Sequence, residues 1–199
     1  MSAEVKRPRT KPAAVRREEL LDAAERRFVA HGVAATSVEE IVADAGVAKG
    51  TFYLYFDAKE ALLPALRDRY ATAFRVTLAS AVARRKPDDW AGRLRTWVEV
   101  AVTDYLERAA LHDVVFHTGG ARVLDHHGDF PVVDDLAALL REGARAGAWS
   151  AETPRQTALM LFHALHGAVD DTIAGSEPVD RKRLTVALVR FFRRAVAAV

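Results

Sequence analysis

The chain is expected to be all-α, with a three-helix helix-turn-helix domain at its N-terminal end and a larger helical domain behind it. Three observations lead there. Apolar residues recur at three- and four-residue intervals along most of the 199 residues, and no segment alternates in the period-two manner of a strand. Residues 36–60 carry helix start and stop signals so closely spaced that only two very short helices and the opening of a third fit between them.

The elements follow in order. Residues 1–17 hold Lys6, Arg7, Arg9, Lys11, Arg16 and Arg17 against Glu4 alone, with Pro8 and Pro12 among them. That composition predicts a disordered basic arm over 1–15, suited to lie along phosphates or in a minor groove, although basic tails are also common as plain solvated segments. A first helix is expected from Arg16 to Gly32. Ser37 and Glu40 then form an S-x-x-E capping box, which starts a second helix at Val38. Its apolar stripe is Val38, Ile41, Val42 and Ala45, and Gly46 supplies the permissive backbone for a turn over Gly46, Val47 and Ala48. A third helix over Lys49–Phe56 is too short to stand alone, since isolated helices below about 12–15 residues are marginal. Asp57 with Glu60 reads as a second capping box opening a helix at Ala58, in which Pro64 is an interior residue expected to bend the chain between Glu60 and Pro64.

Within the third helix the side chains divide. Phe52 and Phe56 share a face suited to packing, which leaves Tyr53 and Tyr55 to project elsewhere with phenolic hydroxyls able to donate to phosphate oxygens. Lys49, Gly50 and Thr51 open the helix, where free N–H groups and the missing side chain of Gly50 permit close approach of a phosphate or a base edge. Lys59 is poorly placed for the helix dipole, so a phosphate contact accounts for it better. Two short helices presented in this way are how proteins insert a helix into the DNA major groove.

Behind this segment, Leu62, Leu66, Tyr70, Phe74 and Leu78 mark one face of a long helix ending near Arg84–Pro87. Another spans Trp90–Ala110, with Leu94, Trp97, Val98, Ala101, Val102, Tyr105 and Leu106 as its stripe. A shorter element over Leu111–Leu124 is weakened by Gly119 and Gly120, and Asp125–Gly128 is a loop. Helices follow over Phe130–Gly147, Glu152–Ala174 and Val179–Val199. The last two carry a second apolar face: Leu184, Leu188, Phe191 and Ala195 make one stripe, which Ala187, Val189, Phe192 and Val196 widen, and Leu159, Phe162, Leu165 and Val169 serve the helix before. Such helices are buried on two sides, either at the centre of the subunit or against a partner in a four-helix interface.

From Arg16 to about Leu66 the sequence closely resembles the DNA-binding domain of the TetR family of bacterial transcriptional regulators. The resemblance implies base or groove contact by Lys49, Gly50, Thr51 and Tyr53, and phosphate contact by Thr36 or Ser37, Tyr55 and Lys59. It implies a homodimer paired through the last two helices, hence a pseudo-palindromic operator in double-stranded DNA. The domains would then be the arm, a DNA-binding domain over 16–60, and a ligand-binding and dimerisation domain over 61–199. The function implied is that of a repressor released from its operator by a small molecule. Candidates for the cavity lining are Trp97, Tyr105, Phe116, His117, Phe162, His163 and His166, although aromatic residues at helical spacing ordinarily pack in a core.

Composition excludes more than it selects. Ten basic and ten acidic residues cancel over 1–60, so the net charge of +2 carries no argument for nucleic acid and only the placement of charge does. Zero cysteines exclude disulfides and thiolate chemistry and suit a reducing compartment. With no run of about 18 apolar residues and no apolar signal core, a cytoplasmic protein is expected. No nucleophile elbow or phosphate-cradling loop is present, so an enzyme is not expected, and no cofactor is assigned. His163, His166 and Asp170 share a helical face, which keeps a metal-responsive regulator as an alternative, but no H-E-x-x-H signature accompanies them and no metal site is assigned. An architectural DNA binder with a filled rear core is the other alternative.

Overall fold

The computed structural model describes residues 11–117 and 131–197, and among these every regular element is helical. The order is α1 (Ala13–His31), α2 (Val38–Ala45), α3 (Lys49–Phe52), α4 (Leu62–Ala83), α5 (Trp90–Glu107), α6 (Ala109–His117), α7 (Pro131–Arg145), α8 (Pro154–Ala174) and α9 (Arg181–Ala195). They form two compact units, one within Met1–Arg69 and Ala110–Arg122, the other within Tyr70–Ala109 and Val123–Val199.

In the first unit α1 begins at Ala13 behind Pro12, three residues earlier than Arg16, and ends at Gly32 with φ 80°. Residues 1–10 of the basic arm lie outside the described residues. Leu20, Leu21, Ala24 and Phe28 of α1, Ile41 and Val42 of α2, Phe52 of α3, and Leu62 and Leu66 of α4 are buried. Arg69 on α4 grips α1 electrostatically, at 3.2 Å from Glu18, 2.7 Å from Asp22 and 2.5 Å from Glu25. These acids recur at helical spacing along one side of α1, so a single guanidinium spans two turns of it. Arg67 donates to the Val115 carbonyl at 3.0 and 2.7 Å and stands over the Phe116 ring, which ties α6 into this unit.

Two expectations at the start of α4 need correction. Asp57 does not cap a helix: Ala58 precedes a 3-10 turn over Lys59–Ala61, and no side chain caps it. The α-helix starts only at Leu62, so Pro64 stands in its first turn, where an N–H has no intrahelical acceptor to lose. The irregularity expected as a bend inside a helix is a change from 3-10 to α geometry ahead of it.

The second unit packs α7 along α8 and α5 along α9. Tyr70, Phe74 and Leu78 of α4 and Leu94, Trp97, Val98, Ala101, Val102 and Tyr105 of α5 are buried as their spacing predicts, while Leu106 is half-buried. The helix expected to run to Ala110 breaks at Arg108, which separates α5 from α6. Residues 118–130, including the expected glycine-weakened stretch, loop and helix start, lie outside the described residues. Gly147, at φ 74°, follows the end of α7 as its position predicts. In α9 the buried stripe is Leu188, Phe192 and Val196, whereas Phe191 and Ala195, expected in it, are exposed. This row meets α5, where Trp97 stacks on Phe192 at 6.0 Å, and that contact places Phe192 and not Phe191 in the core.

Candidate nucleic-acid interface

The first unit builds one exposed polar edge from the end of α1 to the start of α4. The capping box forms in full: Ser37 Oγ accepts from the Glu40 N–H at 3.2 Å, and Glu40 Oε2 accepts from the Ser37 N–H at 2.8 Å. Hydrogen bonds donated to the Glu40 carboxylate, from the Ser37 N–H first and then from the Ser37 hydroxyl at 2.8 Å, hold its pKa below the ordinary 4.5. Gly46 adopts the left-handed conformation at φ 65°, and the Val47 N–H closes the turn on the Val42 carbonyl at 3.0 Å. A side chain at Gly46 would carry the steric cost of that conformation, so the spacing of α2 and α3 depends on the glycine.

The third helix is one turn long, Lys49–Phe52, and not the eight residues expected. Bonds from Tyr55 N–H and Phe56 N–H to the Phe52 carbonyl, at 2.9 and 3.0 Å, continue it as turns. Phe52 and Phe56 are buried and lie 5.7 Å apart, as their spacing predicts, with Arg17 over the Phe56 ring at 5.4 Å. That anchoring leaves Lys49 and Gly50 exposed, Thr51 and Tyr55 half-buried, and Tyr53 49% exposed with its ring edge-on to Phe52. Leu54, passed over in the sequence reading, is 80% exposed between the two tyrosines. Its place one residue from each projecting ring was the available signal, and a bare leucine there suits apolar contact with a thymine methyl group.

Gly50 has open space where a Cβ would stand, and its backbone is not in the left-handed region. Nothing in the fold of the first unit therefore requires a glycine there, although glycine disfavours a helix by about 1 kcal/mol against alanine. Lys49 Nζ is hydrogen-bonded to Glu39 on α2, which lowers the Glu39 pKa and raises that of Lys49.

Two of the expected phosphate contacts are engaged within the chain. Thr36 is 2% exposed and its hydroxyl donates to the Gly32 carbonyl at 2.8 Å, which leaves Ser37 as the more accessible of the pair. Lys59 Nζ donates to the carbonyls of Val33, Ala34 and Thr36 at 2.8, 3.4 and 2.7 Å. Sequence spacing has no signal for this contact, because the acceptors are main-chain groups more than twenty residues away.

The residues expected to line a cavity fall into separate groups. In the second unit Tyr105, Phe162 and His166 meet, with ring centroids 5.1 and 4.1 Å from His166, and His163 is edge-on to Phe162. Tyr105 Oη donates to Asp170, and the His166 Nδ1 edge lies 2.9 Å from the Phe162 carbonyl. In the first unit Phe116 and His117 cluster with His112. Trp97 lines a cavity of about 270 Å³ in the second unit, between α4, α5 and α7, together with Leu78, Val82 and Leu139. Among the described residues no group of three or more His, Asp or Glu is placed to hold a metal ion, and no helix is long and apolar enough to cross a membrane.

Among the described residues the elements are all helical, and in the N-terminal unit α2, the glycine turn and the one-turn α3 are arranged as a helix-turn-helix. Residues 20–66 match the family described as "Bacterial regulatory proteins, tetR family", and the match is confined to this N-terminal domain. It is similar to two Bacillus subtilis proteins, each described as an uncharacterized HTH-type transcriptional regulator. YerO is 44% identical over 48 residues, 24% of this chain and 17% of that one, and YvdT is 44% identical over 55 residues, 28% of each. The chain thus spans less than a third of the length of the curated relatives it matches. In fold it is similar to SmeT, solved as a complex with triclosan, at TM-score 0.71 and 23% identity, covering 92% of each chain.

Proposed function

We propose that this protein is a transcriptional regulator that binds a pseudo-palindromic operator in double-stranded DNA as a homodimer and is released from it by a small molecule. One observation carries the reading most directly. Gly50 stands at the exposed opening of α3 where the fold has no use for a glycine, beside Lys49 and one residue before Thr51. A duplex entering at van der Waals distance explains the missing side chain, and the neighbouring Lys49, Thr51 and Tyr53 supply a cation and hydroxyls for base edges and phosphates. Ser37 and Tyr55 would contact phosphates on either side. Thr36 and Lys59 serve the same interface by holding the α1–α2 loop that carries Ser37.

Homodimerisation through α8 and α9 is supported by apolar side chains left exposed on these helices, among them Met160 and Phe191. Small-molecule control is supported by the 270 Å³ cavity beside Trp97, close to the size of small ligand sites, and SmeT, a protein of this fold, is a complex with triclosan. A filled rear core would favour the architectural alternative. If the ligand prefers the state with weaker DNA affinity, each weakens the other by the same factor.

Selection of genomic fragments on the purified protein gives an operator, and Gly50→Ala is then titrated against it by fluorescence anisotropy. The expected result is an inverted repeat bound by the parent chain and weakened at least tenfold in the variant, with thermal stability equal or higher. Undiminished affinity in Gly50→Ala, or no inverted repeat among selected fragments, overturns the reading.

A further inference from the structure

The cavity of about 270 Å³ in the second unit combines an apolar floor with a balanced set of charges at its edge. Leu78, Val82, Trp97 and Leu139 supply the floor. The four charged side chains that line it are matched in pairs, Arg75 meeting Asp135 at 2.7 and 3.1 Å and Arg93 standing 3.9 Å from Glu142. No net charge faces the space, so a charged guest would leave water without gaining a counter-charge of its own.

Trp97 adds one polar group. The residue is 3% exposed and stacked on Phe192, and its indole N–H has no acceptor among the described residues. Trp149, the other buried indole, donates to the Leu140 carbonyl at 2.7 Å, which is the usual arrangement for a buried N–H. Nor is the Trp97 nitrogen sealed by apolar atoms: it borders open space, and the space that Trp97 lines is this cavity. Size sets the remaining limit. An apolar cavity of about 150 Å³ holds benzene and drug-sized ligands take about 300–1,000 Å³, so 270 Å³ suits two fused rings.

We infer that the cavity takes an uncharged molecule of about two fused rings carrying one hydrogen-bond acceptor, which the Trp97 indole N–H meets. The inference rests on the small-molecule control proposed above and adds the chemical class of the effector. Apolar contact with Leu78, Val82 and Leu139 supplies most of the affinity. The N–H selects among apolar molecules, because a ring without an acceptor covers the donor and leaves it unmet.

The test compares quinoline with naphthalene, two molecules of one shape that differ in a ring-nitrogen acceptor, and with 2-naphthoate as the charged member. Each is titrated into the full chain near neutral pH and followed by ligand-observed NMR. Quinoline and naphthalene should bind, and 2-naphthoate more weakly than either. Trp97→Phe keeps an aromatic wall and removes the donor, so the affinity for quinoline relative to naphthalene should fall by about two- to tenfold, the size of one net hydrogen bond. The three indole N–H signals of the parent chain give a readout that needs no variant: one moves downfield with quinoline and not with naphthalene. An unchanged quinoline-to-naphthalene ratio in a folded Trp97→Phe chain, or the absence of that shift in the parent, overturns the inference. Tighter binding of 2-naphthoate than of quinoline overturns it as well. A chain that binds its operator but none of the three molecules overturns this inference and leaves the DNA-binding reading intact. Quinoline bound through Trp97 with no change in operator affinity supports the site and overturns the release by a small molecule proposed above.

Discussion

Trp149 lies across Gly143: a methyl group on Gly143 would stand 2.1 Å from Cζ2 of the indole and 2.3 Å from Cε2. The ring is pinned there by its own N–H, which donates to the Leu140 carbonyl at 2.7 Å, and by an edge contact with Trp90. An alanine within a helix normally gains about 1 kcal/mol over glycine. Here the expected sign is reversed. Gly143→Ala should destabilise the second unit by about 1–3 kcal/mol, the range for overpacking a filled core. Urea unfolding followed by tryptophan fluorescence reads this directly, and a variant as stable as the parent shows that the indole is free to move.

Lys59 makes a related claim for the first unit. Its ammonium meets three main-chain carbonyls of the α1–α2 loop, and hydrogen bonds to charged groups are worth about 1.5–3 kcal/mol. Lys59→Met keeps the stem and removes the donors. The variant should unfold at a lower temperature without any DNA present. An unchanged melting temperature combined with weaker DNA binding would assign Lys59 to a phosphate instead.

The Ser37–Glu40 box has a pH signature. Because the folded-state pKa of Glu40 lies below 4.5, its contribution is complete at pH values above 4.5 and is lost as pH falls through the lowered value. Carboxyl-resolved NMR titration should find Glu40 protonating after an ordinary glutamate. In Ser37→Ala the Glu40 midpoint should move back towards 4.5, and the cap should cost about 1 kcal/mol. A Glu40 midpoint at or above 4.5 in the parent removes the box from solution.

Phe191 is 50% exposed on α9 while its neighbour Phe192 is fully buried. If the exposed side meets a second copy of the chain, Phe191→Arg should shift the mass measured by light scattering from dimer to monomer with α9 still folded on Phe192. A parent chain that is monomeric at micromolar concentration contradicts the pairing at its root.

The outward placement of Lys49, Gly50 and Tyr53 was legible from spacing because it is set locally. A capping box, a glycine turn and an aromatic pair four residues apart all act within about a dozen residues, and each side chain left over is pushed outward by its anchored neighbour. The same locality explains why Leu62, Leu66, Tyr70, Phe74 and Leu78 were legible as one buried face.

What sequence by itself determined was the all-helical class, the glycine turn and the outward face of α3, since helix periodicity and capping are written in near neighbours. Tertiary structure decided the rest. It turned Lys59 and Thr36 onto main-chain carbonyls, stopped α3 after one turn, moved the start of α4 to Leu62, chose Phe192 over Phe191 for the core, and set Glu39 beside Lys49. Each of those outcomes depends on a contact that chain spacing does not encode or on competition between neighbouring side chains for one buried row, and both are settled only when the helices pack.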